Sequence, residues 1–174
     1  MRSYILAIDP GSVKSAYALI SFDNGFELLD FGKIDNFEML PEISDIGMRT
    51  LFHEDESFKI YPVVEMVASY GMAVGKDVFE TCVWIGRFIQ KLENSDYYEK
   101  HTKIYRKDEK MCLCGSMKAK DSNIRQALID RYAKHDFKNG KGKKNNPDVF
   151  YGVSADVWAA IAVGVTYYEK YLIL

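Results

Sequence analysis

The order of apolar segments predicts an α/β fold, a mixed sheet of strands with helices laid on it. Two observations carry that expectation. The first 34 residues read as three strands joined by short turns, and the chain then alternates helical with strand-like periodicity. A third observation points to chemistry: two of the strand-like runs finish in a carboxylate, at Asp9 and Glu65.

Residues 3–11, SYILAIDPG, set the pattern. β-Branched and aliphatic residues lead into Asp9, and Pro10-Gly11 stops the run, as in a buried strand that ends in a turn. A second strand follows over 16–22, Asn24-Gly25 is a hairpin signal, and 26–34 is the third strand. Three successive strands with short connections make an antiparallel meander. Met39, Ile43 and Ile46 then take helical spacing, ahead of an acidic loop at Glu54-Asp55-Glu56. The run KIYPVVEM, 59–66, is the fourth strand, and Val63-Val64 leads into Glu65 as Ile8 leads into Asp9.

A glycine-containing loop is expected over 69–76, then an amphipathic helix over 77–92. Val78, Cys82, Ile85, Ile89 and Leu92 form one apolar stripe. Phe79, Val83 and Phe88 widen it beyond what one sheet face requires, which fits a dimer surface. Residues 102–106 form a short strand. Asp121 is expected to cap a helix through Tyr132, with Ile124, Leu128 and Ile129 facing inward. The Gly-, Lys- and Asn-rich stretch 138–147 is a loop. Ser154 then caps a last helix with Asp156 in its first turn, and its apolar body from Trp158 to Val165 is buried against the sheet.

At 174 residues the chain suits one domain with a sizeable core. No apolar run approaches the roughly 18 residues of a membrane span. The chain opens directly on a strand, so no membrane and a cytoplasmic compartment are expected. Three cysteines do not make a disulfide framework. Cys112 and Cys114, with His101 and His135, lack the paired spacing of a structural zinc site. Net charge is only −2, but it is unevenly spread. Residues 100–144 hold 14 Lys and Arg against 5 Asp and Glu, whereas residues 1–99 hold 8 against 17. The basic third includes Lys134, Lys138, Lys141, Lys143 and Lys144, the footprint of a surface for a polyanion.

A carboxylate at the end of a buried strand is costly unless a cation meets it. If the first and fourth strands are parallel neighbours, Asp9 and Glu65 emerge at the C-terminal edge of the sheet, where α/β sheets place ligands. A buried helix starting there brings Asp156 to the same place. Three clustered carboxylates repel one another, and all-oxygen ligands suit Mg²⁺ or Mn²⁺. Such a cluster beside a basic surface points to phosphodiester hydrolysis with two metal ions.

The segments LAIDPGSVKSAYALI, VVEM, the Gly-Arg of WIGRF, IYRKDEK, KAKDSNIRQALIDRY and SADVWAAIAVG occur in that order along nearly the whole chain. As an ordered set they resemble the RuvC family of Holliday-junction resolvases, closest to its phage-type branch. The resemblance implies a ribonuclease H-like fold with a five-stranded sheet, three antiparallel strands followed by parallel ones. It also implies a homodimeric, Mg²⁺-dependent endonuclease on branched DNA, with Mn²⁺ substituting, that leaves a 5′-phosphate and a 3′-hydroxyl. Asp9, Glu65 and Asp156 match the family's metal-binding carboxylates. Lys110 matches one DNA-contacting lysine; a second aligns near Asp121, leaving Lys118 or Lys120 to take its role. Tyr70 falls where the family carries an aromatic that stacks at the junction, and Lys141, Lys143 and Lys144 extend the DNA surface. One departure stands out: the family's Asp-x-x-Asp pair begins here on Val153, so Asp148, Ser154 or water would complete the shell.

Two other classes share parts of this pattern. Actin-like ATPases and kinases also open on a strand and an Asp-x-Gly turn, but they need two such domains and a phosphate-contacting glycine hairpin that this chain lacks. A non-catalytic ribonuclease H-like DNA-binding module would show the same fold and basic surface without cleavage.

Overall fold

The computed structural model describes residues 2–53, 57–69, 71 and 73–173; the acidic loop expected at Glu54-Asp55-Glu56 lies outside them. Five strands form one sheet in the order β3-β2-β1-β4-β5: β1 (Arg2–Asp9), β2 (Lys14–Ser21), β3 (Glu27–Asp35), β4 (Phe58–Met66) and β5 (Thr102–Tyr105). β1, β2 and β3 are the expected antiparallel meander. β4 runs parallel to β1 with Ile8 opposite Val64, and β5 runs parallel to β4 with Ile104 opposite Glu65. This is the α/β, ribonuclease H-like mixed sheet that the sequence predicts.

Helices cover both faces. On one face Tyr4, Leu6, Ile8, Tyr17 and Leu19 pack against Met39, Ile43 and Ile46 of α1 (Asn36–His53) and against α2 (Lys76–Glu93). The helical spacing of the α1 residues therefore reported the core correctly. On the other face Ala16, Ala18 and Ile20, with Ile5, Ala7 and Val63, pack against α5 (Val157–Tyr167). α3 (Arg106–Cys114) and α4 (Asp121–Tyr132) lie beside α5 on this face, and α5 is buried along nearly its whole length. It runs into a π-helical turn, Tyr168–Leu172.

Four local expectations are corrected. α2 buries Thr81, Trp84, Ile85, Phe88 and Leu92, so Phe88 belongs to the core and Trp84 joins the stripe; Phe79 and Val83 stay on the exposed edge. Lys120 occupies the N-cap of α4, and Asp121 is the first helical residue. The last helix starts at Val157 with Asp156 at its N-cap and no side-chain cap bond, so Ser154 does not cap it. The 138–147 stretch contains a two-residue hairpin, β6 (Gly142–Lys143) with β7 (Asn146–Pro147). The sequence also gave no sign of α3, because nine residues carrying two Lys, one Arg and two acids show no apolar stripe.

Gly164 sets how closely α5 approaches the sheet. A Cβ there would lie 2.7 Å from Ile20 Cδ1 and 3.1 Å from Ala7 Cβ. Gly164→Val is therefore expected to destabilise the fold by about 1–3 kcal/mol through overpacking. Urea unfolding should show a lower midpoint at unchanged slope; an unchanged midpoint would mean that α5 can lift without cost.

Candidate active site

The parallel register sets the site. Ile8 and Val64 are paired, so Asp9 and Glu65 follow at the same level on the C-terminal edge of the sheet. Side chains alternate along a strand, so Asp9 shares the α5 face with Ile5 and Ala7, and Glu65 shares it with Val63. An open cleft of about 780 Å³ lies over them, lined also by Arg106, Asp121, Arg125, Lys138 and Asp156. The structure thus brings Asp9, Glu65 and Asp156 to one cleft.

Each acid is positioned by its neighbours in sequence. The turn after Asp9 is closed by Gly11, whose N–H donates to Ser15 Oγ at 3.1 Å. Ser15 Oγ donates to Asn36 Oδ1 at 2.6 Å, and Asn36 Nδ2 donates back to the Gly11 carbonyl at 2.9 Å. Ser15 and Asn36 are buried, so this triangle is rigid. Gly11 is required by space: a Cβ would sit 2.3 Å from the Lys14 carbonyl oxygen. Asp156 precedes α5, whose first residues, Val157 and Trp158, are buried and hold the helix start in place. Its carboxylate meets Lys33 Nζ of β3 at 2.5 Å.

Glu109 and Arg106 join the cluster without having been anticipated. Glu109, on the inner face of α3, is fully buried, and its Oε2 accepts from Arg106 Nη1. Its Oε1 has no donor unless a carboxyl is protonated. The side chain facing it is Glu65, which in turn neighbours Asp9. Burial, reinforced by Glu65 and Asp156, pushes the Asp9 carboxyl up to about 8. Burial and the Glu109 charge push Glu65 up to about 7, and burial pushes Glu109 to about 7 against the pull of Arg106. The three carboxyls form a chain that retains protons near neutral pH. The only sequence hint was the four-residue step from Glu109 to Leu113, both buried.

Asp9 and Glu65 fit a hard divalent cation in their chemistry. They are adjacent oxygen donors whose mutual repulsion an ion would relieve. As placed, no three Asp, Glu, His or Cys side chains among the described residues converge on one point, and the Asp156 carboxylate is paired with Lys33. The candidates for a further ligand are resolved differently. Val153 is fully buried in the core, where an Asp would place an unpaired charge in an apolar site. Asp148 is buried too, and it accepts from the backbone N–H groups of Lys134, His135, Asp136 and Val149, which hold it far below the usual carboxylate range. It shapes the basic loop and is unavailable to an ion. Ser154 is exposed.

The expected DNA contacts lie on α3, before α4 and at the β6–β7 hairpin. Lys110 is half-buried on α3, and Lys118 and Lys120 are exposed in the turn before α4. Lys141, Lys143 and Lys144 surround the β6–β7 hairpin. None of these six lines the cleft, whereas Lys138 of the same basic stretch does. Tyr70 lies outside the described residues. The zinc arrangement finds no support in the side chains: Cys112 Sγ donates to Glu169 Oε2 at 3.2 Å, and His101 faces Glu93.

No family model matches the chain, and no curated protein matches it in sequence. Solved structures do. RuvC of Thermus thermophilus superposes with a TM-score of 0.67 at 12% identity, covering 98% of this chain and 96% of that one. T. thermophilus RuvC in complex with a Holliday junction substrate gives 0.64 at 10% identity with the same coverage. At such identity the likeness shows the fold alone, and it spans both chains almost end to end.

The raised carboxyls have a stability consequence with a definite sign. Asp9 binds its proton to about pH 8 when folded but ionises near its ordinary value of 3.8 when unfolded. The folded state therefore holds more protons between these values, and stability falls as pH rises through them. Asp9→Asn is expected to melt several degrees above the parent at pH 8.5, with the gap closing toward pH 4. A gap that does not change with pH would show that Asp9 is ionised without strain.

Proposed function

We propose that the chain is a metal-dependent endonuclease that cuts branched DNA, such as four-way junctions, by phosphodiester hydrolysis. The observation that carries this is the pairing of Asp9 and Glu65 at the edge of a RuvC-like sheet, with Asp156 lining the same cleft. Asp9 and Glu65 would hold Mg²⁺, or Mn²⁺ in its place, and Asp156 would join once released from Lys33. Bound there, such ions would supply an activated water and neutralise charge on the leaving oxygen. The protein's own groups orient the DNA. Arg125, stacked over Trp158 with its guanidinium carbon 5.0 Å from the ring centre, and Lys138 stand at the cleft to meet backbone phosphates. Lys110, Lys118, Lys120, Lys141, Lys143 and Lys144 extend that phosphate surface beyond it, a contribution independent of base sequence.

Paired cuts in a junction call for two active sites, and the exposed edge of α2 supplies a surface for a homodimer. Phe79 and Val83 are 62% and 58% exposed there. Pairing two copies of this edge would remove apolar area from water.

Two experiments test the proposal. Asp9→Asn, Glu65→Gln or Asp156→Asn should each lower Mg²⁺-dependent nicking of a synthetic four-way junction by at least about 100-fold, the scale of losing a group that offsets developing charge. Junction affinity should change little. Full nicking by any one variant removes that residue from the site, and a parent chain that binds junctions without cutting them is a binding module instead. Separately, Phe79→Glu combined with Val83→Glu should convert a dimer to a monomer in sedimentation. A parent chain that is monomeric at micromolar concentration contradicts the dimer.

A further inference from the structure

Arg106 is held in an asymmetric grip. It is the first residue of α3, directly after β5, and it lines the cleft beside Asp9 and Glu65. Its Nη1 donates to Glu109, which is fully buried; its Nη2 donates to Asp121, whose side chain is 87% exposed. These partners differ in what their loss would cost. A buried carboxylate stripped of its cation is strongly unfavourable, so Glu109 and Arg106 stay together. An ion pair with an exposed carboxylate is weak and open to exchange. Asp121 lines the same cleft and presents an exposed anionic oxygen to the guanidinium, where an oxygen of a ligand could sit.

The charge of the cleft asks for such an exchange. Asp9, Glu65, Asp121 and Asp156 line it, and a phosphodiester entering there meets carboxylates unless a cation is presented to it. Lys138 and Arg125, the latter stacked over Trp158, also line the cleft, and Lys33 is tied to Asp156. Arg106 sits close enough to lower the carboxyls of both Asp9 and Glu65. A guanidinium with one edge pinned and the other exchangeable suits a phosphate oxygen, which it can bind without losing its buried anchor.

We propose that Arg106 binds a backbone phosphate of the DNA inside the cleft, that Asp121 occupies its outer edge until the phosphate displaces it, and that Glu109 is the positioning residue that aims it. This rests on the nuclease reading above and names the group that brings the phosphate to the carboxylates.

Asp121→Asn and Arg106→Gln break the same ion pair, which makes them a sharp test. If that pair merely ties α3 to α4, both changes act in the same direction. If Asp121 is a competitor, they act in opposite directions. The full chain is mixed with a fluorescent four-way junction without divalent ions for affinity, and with Mg²⁺ for single-turnover nicking. Asp121→Asn is expected to tighten binding by roughly 3–10-fold, as removal of an anion competing for a phosphate contact would. Arg106→Gln should weaken binding, lower the slope of log K against log salt by about 1, and slow nicking by about 100-fold. Arg106→Lys should restore affinity in part. Because Arg106→Gln leaves Glu109 unpaired, the double variant Arg106→Gln/Glu109→Gln is measured beside it and should show the same losses in a folded chain. Asp121→Asn binding no tighter than the parent, or the double variant nicking at the parental rate, overturns the assignment while leaving the nuclease reading intact. A parent chain that neither binds nor nicks junctions overturns both.

Discussion

Parallel pairing of β1 with β4 is the constraint on which everything else in this structure depends. It places Ile8 against Val64, and the next residue on each strand is a carboxylate, so two acids are forced side by side at the sheet edge. Burial keeps water from screening them, and their carboxyls retain protons near neutral pH. A third buried acid, Glu109, continues the chain. The arrangement costs stability, and the strain is relieved only by protons or by a cation.

The surrounding elements hold that arrangement rather than soften it. The Gly11–Ser15–Asn36 triangle fixes the turn after Asp9, and the all-round apolar surface of α5 fixes the point at which Asp156 enters the cleft. Two cations beside the acids are already paired, Lys33 with Asp156 and Arg106 with Glu109 and Asp121, while Lys138 and Arg125 also line the cleft. The cleft is therefore preorganised in its acids and exchangeable in its cations, which suits a ligand that brings both phosphate and metal. Of the basic stretch 138–144, Lys138 stands at the cleft wall and Lys143 lies on the β6–β7 hairpin.

Much of this was legible in the sequence, for identifiable reasons. The two strands ending in Asp9 and Glu65 announced themselves because apolar runs and a Pro-Gly stop are local signals. α5 was equally plain, being apolar on every side. α3 was not, because a nine-residue, highly charged helix buries only Glu109 and Leu113, and a buried glutamate looks like a surface residue in one dimension. Lys33 was invisible for a different reason. Its contact with Asp156 spans 123 residues and is created only by folding. The α2 stripe was read one step off because Trp84 was left out of it, and the start of the last helix was read too early because Ser154 has the chemistry of a cap without forming one.

The central claim is that Asp9 and Glu65 form a divalent-cation site that Asp156 completes. Anomalous diffraction from crystals soaked in Mn²⁺ tests it most directly. The account predicts an ion bound by Asp9 and Glu65, with Asp156 turned away from Lys33 toward it. Mn²⁺ bound only elsewhere, with the Lys33–Asp156 pair intact and the two carboxyls still sharing protons, would contradict it.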